Sequence, residues 1–303
     1  MEKPGRSPVA FTPMRSAISR RMLESKSKAP HFYVTTEIDM EAVTAANAAL
    51  NHDRSGDDRV TITAWLVRAV AQSLAAAPEL NAVWNGETLE RIEQINIGIA
   101  VAIPDGLIAP ALLDCGPKDL ATISSELRDL VARTKANKLR PAEFSDATFT
   151  LSNLGGFPVT QFTAIITPPQ VAILATGRSE QRAVVRDGAI VARQMLTATL
   201  SADHRAVDGA LLAAFLGWLA DEHSLSTIHL VAHSMGGLFS TAAIGHLLAT
   251  GSAVRIASLT ALGTPWEGSF AGDYVAGDVS LDDALGETTA VWAMREAAAH
   301  HRK

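Results

Sequence analysis

One cysteine, Cys115, stands among 303 residues, so no intramolecular disulfide can form. A lone thiol fits a reducing cytoplasm, and the sequence around Cys115 reads as a buried structural position after a strand. No apolar run reaches the length that spans a bilayer, which argues against a membrane protein. The charges near the start have no apolar core behind them, so a signal peptide is not expected. Positive charge is also short: 26 Lys and Arg against 32 Asp and Glu leave a net charge of −6, which argues against nucleic acid as a partner. The local exception is the first 28 residues. There Lys3, Arg6, Arg15, Arg20, Arg21, Lys26 and Lys28 outnumber Glu2 and Glu24. Such a run is usually a solvated helix face, with a phosphorylated ligand as the alternative.

What is present is a chain that is 48% hydrophobic, enough for one large core or two modest ones. Pro4, Gly5 and Pro8 mark residues 1–9 as a linker remnant. Helical spacing follows at Met14, Ile18, Met22 and Leu23, then a strand from His31 to Ile38. Val60 to Ala76 predicts an amphipathic helix, with Ile62, Leu66, Val70 and Leu74 four apart and Pro78 ending it. Ile95 to Ile103 and Leu107 to Leu113 predict strands about the turn Pro104-Asp105-Gly106. Asp119 to Asn137 predicts another helix. Phe149 to Leu154, Val171 to Gly177, Ala183 to Val185 and Ala189 to Leu200 form a strand-rich half, with Asp187-Gly188 as a hairpin signal. The class expected is α/β: a sandwich of flanking helices on a mixed sheet.

Ser201 to Gly209, Ser-Ala-Asp-His-Arg-Ala-Val-Asp-Gly, is the most informative stretch. His204 lies four residues before Asp208-Gly209, between the alternating strand Met195 to Leu200 and the helical run Ala210 to Leu216. An imidazole held on a turn between two rigid elements can act as a base near neutral pH. A polar turn that happens to contain a histidine is the plain alternative.

His-x-x-x-Asp-Gly after Ser-x-Asp resembles the active-site motif of the dihydrolipoamide acyltransferases, the E2 components of 2-oxo acid dehydrogenase complexes, which are related to the chloramphenicol acetyltransferases. Other segments carry the same resemblance: Met14 to Met22 followed by Ala29-Pro30-His31-Phe32, Ala77 to Ala82, Val101 to Ile108, Phe149 to Gly156, and Thr167-Pro168-Pro169-Gln170. It runs from about Ala10 to Asp221, and it implies a catalytic domain over residues 10–222 with the chloramphenicol acetyltransferase-like topology.

The resemblance implies acyl transfer between dihydrolipoamide and coenzyme A. His204 would be the base for the incoming thiol, and Ser152 would stabilise the tetrahedral oxyanion. Asp208 would organise the turn around His204, a role compatible with capping the next helix. Asn153, Gly155 and Gly156 would shape the loop beside Ser152, and Gly209 suits close approach of another backbone. Arg15, Arg20 and Arg21 are candidates for coenzyme A phosphates or interface salt bridges. His31 matches a position near the substrate channel, with a partly buried histidine beside a strand as the alternative. No metal is implied: His229 and His233 are four apart, but they fall on a strand and its turn. Members work as homotrimers with the site between neighbouring subunits, often built into larger cores, alongside E1 and E3. No lipoyl domain is recognised here, so the lipoyl group would come from another domain or chain.

After Asp221 the character changes. Ile228 to Ala232 predicts a strand running into His233-Ser234-Met235-Gly236-Gly237, then a helix from Leu238 to Thr250 and a strand from Val254 to Leu262. Ala232 to Gly236 resembles the nucleophile elbow of α/β-hydrolases, with alanine for the first glycine. Residues 223–303 are therefore expected to be a partial hydrolase-like segment. Its strands would have open edges unless they dock on the core or a neighbour. Two other functions follow from it: a serine hydrolase acting through Ser234, or an inactive fusion scaffold.

Overall fold

The computed structural model describes residues 7, 9–104, 106–186 and 188–221, together with the backbone of strands at 227–233 and 255–262. Thr12 caps the first helix, α1 (Pro13–Lys28), by accepting the Arg15 amide at 3.2 Å, and Pro13 supplies a preset first turn. β1 (His31–Asp39) follows, with buried positions on alternate residues. Next come α2 (Glu41–Leu50), α3 (Ile62–Ala76) capped by Thr61, and a small hairpin of β2 (Ala82–Trp84) and β3 (Leu89–Arg91). The apolar stretch 95–113 is four short strands rather than two: β4 (Ile97–Ile99), β5 (Val101–Ile103), β6 (Gly106–Ile108) and β7 (Ala111–Leu112). The break falls at Ala100, whose amide turns to Leu151 O at 3.1 Å while β5 and β6 fold out as a separate ribbon.

Asp119 caps α4 (Leu120–Lys135), and the short α5 (Pro141–Ser145) leads to β8 (Phe149–Asn153) and β9 (Ala172–Thr176). β10 (Glu180–Arg186) and β11 (Ala189–Asp203) pair with Arg186 opposite Ala189, so the turn falls where Asp187-Gly188 predicts it. α6 (Gly209–Asp221) completes the core, and β12 (Thr227–His233) and β13 (Arg255–Leu262) follow.

Among the described residues nine strands form one mixed sheet, in the order β13-β12-β1-β11-β9-β8-β4-β7 with β10 beside the first part of β11. β12 and β13 are parallel to each other, and β12 joins β1 antiparallel at Thr35 opposite Val231. The C-terminal strands thus extend the acyltransferase-like sheet, the docked alternative of the two considered. The predicted helix 238–250 and Ser234 lie outside the described residues.

β11 shows how the two faces divide. Leu196, Ala198, Leu200 and Ala202 point into an apolar core, whereas Thr197, Thr199, Ser201 and Asp203 are buried on the other face. The apolar face packs against α3 and α6, where the Phe149 and Phe215 rings lie 5.7 Å apart. The polar face is crossed by α1, whose Ser25 hydroxyl donates to Ile166 O at 2.6 Å.

Cys115 sits in the core with no exposed surface and donates to Leu112 O, and burial pushes its thiol up to about 12. A maleimide at neutral pH is therefore expected to leave native protein unmodified and to react only after denaturation, because the thiolate is the nucleophile. Rapid labelling of the folded chain, read by mass spectrometry, would contradict this. Among the described residues no helix is long and apolar enough to cross a membrane.

Candidate functional site

Ser152 lies on the polar face of the sheet, two residues after Thr150 on β8, in the wall of a groove of about 470 Å³. Ile18 and Arg21 of α1, Leu107 of the β5–β6 ribbon, and Thr150 and Gln170 share that lining. Arg15 also lines it, and Arg21 is anchored by donating from Nη2 to Pro168 O at 2.5 Å. Residues 164–169, outside helix and strand, form a further wall through Ala164, Ile165, Thr167 and Pro169.

Behind Ser152 the chain turns sharply. Asn153 donates from Nδ2 to Thr63 Oγ1 at 3.0 Å and accepts the Gly155 amide on Oδ1 at 2.7 Å. A Cβ on Gly155 would stand 2.9 Å from that same Oδ1, so any side chain there would make Asn153 shift. The loop then folds back onto β9: Leu154 N donates to Thr176 O and Arg178 N to Val159 O. Gly177 lies under this crossing, and a Cβ there would meet Thr160 O at 2.0 Å. Gly177→Ala is therefore expected to destabilise by about 1–3 kcal/mol, since backbone rather than a flexible side chain must give way. A thermal melt would record this, and an unchanged midpoint would refute it. Sequence reasoning did not single out Gly177; a glycine at a strand end carries no signal without its neighbour.

His204 stands at the far end of β11. Its amide donates to Pro30 O at 3.0 Å, and its half-buried ring lies against Phe32 with centroids 4.3 Å apart. The residues on either side close around it. Asp203, 3% exposed, accepts from the Arg205 amide and Nε at 3.0 Å each and from Nη2 at 2.6 Å. That fork holds the Arg205 guanidinium above what is already a strongly basic range, and its carbon lies 5.0 Å from the Trp84 ring centroid. Asp203 belongs to the Ser-x-Asp of the motif but had no role assigned, and Arg205 and Trp84 were not singled out. Asp208 accepts the Leu211 amide on Oδ1 at 3.0 Å, capping α6, with buried Gly209 between them in sequence.

His31 is fully engaged within the fold. Its Nδ1 faces Ala29 O at 2.8 Å and its Nε2 accepts the Ile166 amide at 3.1 Å.

The two principal candidates do not meet within one chain. Ser152 is level with Ala175, which is level with Thr199. His204 lies five residues beyond Thr199, about 17 Å along the strand and about 10 Å across two strand spacings from Ser152. The faces differ as well: Phe32, which the imidazole touches, pairs with Ala202 of the apolar side. Among the described residues no group of three or more His, Cys, Asp or Glu could hold a metal ion.

The chain belongs to the 2-oxoacid dehydrogenases acyltransferase (catalytic domain) family, whose model matches residues 3–223. Over 205 residues it is 40% identical to the mitochondrial dihydrolipoyllysine-residue acetyltransferase component of the pyruvate dehydrogenase complex of Schizosaccharomyces pombe, covering 67% of this chain and 42% of that protein. It spans about half the length of the relatives it matches. Its fold matches the dihydrolipoamide acetyltransferase of Azotobacter vinelandii, investigated for a serine, a histidine and an asparagine in its catalytic mechanism. That match has a TM-score of 0.69 and 29% identity over 73% of this chain and 92% of that one. It also matches the cubic core of a pyruvate dehydrogenase multienzyme complex, with a TM-score of 0.68 and 29% identity over 72% of this chain and 91% of that one.

Proposed function

We propose that this chain transfers an acyl group between dihydrolipoamide and coenzyme A, with residues 10–222 as the catalytic domain, 1–9 as a linker remnant and 223–303 as an appended segment. One observation carries the reading. Ser152, His204 and Asp208 keep the intervals that separate the serine, histidine and asparagine of the Azotobacter vinelandii enzyme, in a chain with the same fold.

His204 takes the S–H proton of the incoming thiol, and the sulfur attacks the thioester carbonyl carbon of the acyl donor. The carbonyl oxygen gains the negative charge and is stabilised by the Ser152 hydroxyl. Collapse expels the second thiol as thiolate, which recovers the proton from the imidazolium, so no proton is lost over the cycle. Asp208 holds the start of α6 and with it the end of the histidine turn. Arg15 at the groove mouth offers a cation to the phosphates of coenzyme A. Asn153 and Gly155 keep the chain beside Ser152 tightly turned, and Gly209 allows the turn to enter the helix.

The distance between Ser152 and His204 requires that each site take its serine from one subunit and its histidine from the next. A homotrimer closes such heterologous contacts into a ring. The lipoyl group is supplied by another domain or chain, E1 and E3 are the natural partners, and the lone buried thiol suits a cytoplasmic location. No metal takes part in the steps above.

The test is steady-state formation of acyl-coenzyme A from coenzyme A and an acylated free dihydrolipoamide. Turnover with either physiological thiol as acceptor is expected. A folded oligomer that forms no thioester in either direction would refute the reading.

A further inference from the structure

The polar face of the sheet ends in a row that the mechanism above does not use. His31 is level with Asp203 on that face, one residue before Phe32, whose ring carries His204. From there the imidazole reaches out of the sheet to the groove wall and accepts the amide of Ile166, which is 1% exposed. Three side chains pin this wall: His31 on Ile166 N, Ser25 on Ile166 O, and Arg21 on Pro168 O. Of these, His31 alone can lose its role by gaining one proton. Its Nε2 must be bare to accept from Ile166, and its Nδ1 must carry the hydrogen given to Ala29 O.

We propose that His31 is a positioning residue: as the neutral Nδ1–H tautomer it holds the 164–169 wall of the Ser152 groove against β1, and protonation at Nε2 releases that wall. The inference rests on the acyl-transfer reading only for its kinetic consequence, because the latch itself belongs to the fold.

The charged and titratable neighbours agree with this. Burial depresses the basicity of the ring and Lys26 depresses it further, against the Ala29 carbonyl and the Asp203 carboxylate, which favour the imidazolium. Tyr33, on the same strand, bonds Lys26, and Asp203 is committed to Arg205. The wall itself, Ala164 to Pro169, contributes no ionisable group. Of the side chains that pin the wall, His31 is the one whose bond a single added proton breaks. A histidine held neutral by the fold has its latch complete above the ordinary value of about 6.5, and loses it as pH falls through the lower folded value.

Two variants separate the two ring nitrogens. Glutamine extends an acceptor to the Nε2 position but cannot titrate, whereas asparagine reaches only as far as Nδ1. With isotope-labelled isoleucine methyls in the full chain, the Ile166 δ1 resonance of the wild type is expected to move between about pH 8 and about pH 5. In His31→Gln it should stay at its high-pH position, and in His31→Asn it should already sit near its low-pH position at about pH 8. In kinetics the acid limb of kcat/KM should be one proton steeper in the wild type than in His31→Gln. An Ile166 resonance that is flat in the wild type, or that titrates equally in His31→Gln, overturns the proposal. Loss of all acyl transfer in the wild type would instead count against the proposed function and leave the spectra to decide the latch.

Discussion

His204→Ala is expected to lower the turnover of acyl transfer by at least about a hundredfold while leaving the fold intact, because a positioned general base contributes on the order of 10²–10⁴. The fold should survive because the turn is held by bonds that the substitution leaves in place: the amide to Pro30 O, and the fork from Arg205 to Asp203. Circular dichroism and gel filtration would establish native structure, and initial rates of acyl-coenzyme A formation would give the effect. Near-normal turnover in a folded variant would remove His204 from the mechanism. Ser152→Ala provides the companion measurement. Loss of one oxyanion donor should slow turnover on the order of 10²–10³ with little change in KM, whereas a raised KM with unchanged turnover would make Ser152 a binding residue.

The second large effect comes from mixing these two inactive proteins. Co-refolding His204→Ala with Ser152→Ala in equal amounts is expected to restore about a quarter of wild-type activity, since random ring assembly pairs an intact histidine with an intact serine at about one site in four. The cause is the sheet register: Ser152 and His204 lie at opposite ends of the same sheet, by way of Ala175 and Thr199. A site built within one chain would gain nothing from mixing, so a mixture no more active than its parts would show that each chain works alone.

Elements with their own periodic signal were legible in the sequence. α3, α4 and β11 announce themselves by spacing and by their capping residues, Thr61 and Asp119 for the helices. Two of the elements missed are held by partners remote in sequence. α5 is five residues long and is secured by an ion pair in which Arg133 of α4 donates from Nη2 to Glu143 Oε1 at 2.7 Å. The β2–β3 hairpin owes its position to Trp84, whose amide donates to Pro169 O. The same distinction runs through the site. The His204 turn is contiguous and could be read directly, whereas the 164–169 wall depends on His31, Ser25 and Arg21 arriving from another layer. The separation of Ser152 from His204 is a property of strand order and register, which no local pattern encodes.

The pairing of β1 with β11 also bears on how the molecule is made. β1 has no neighbouring strand until β11 exists, because Met195 to Asp203 pair along its whole length and β12, its other neighbour, is made later still. During synthesis β1 leaves the ribosome about 160 residues ahead of that strand, and at roughly 5–20 residues per second the wait is about ten to thirty seconds. Through that interval Phe32, Val34 and Ile38, all buried in the finished sheet, have no strand to rest on. The nascent chain is therefore exposed to misassociation for most of its translation, and its central sheet closes only when the segment bearing the histidine turn has been made.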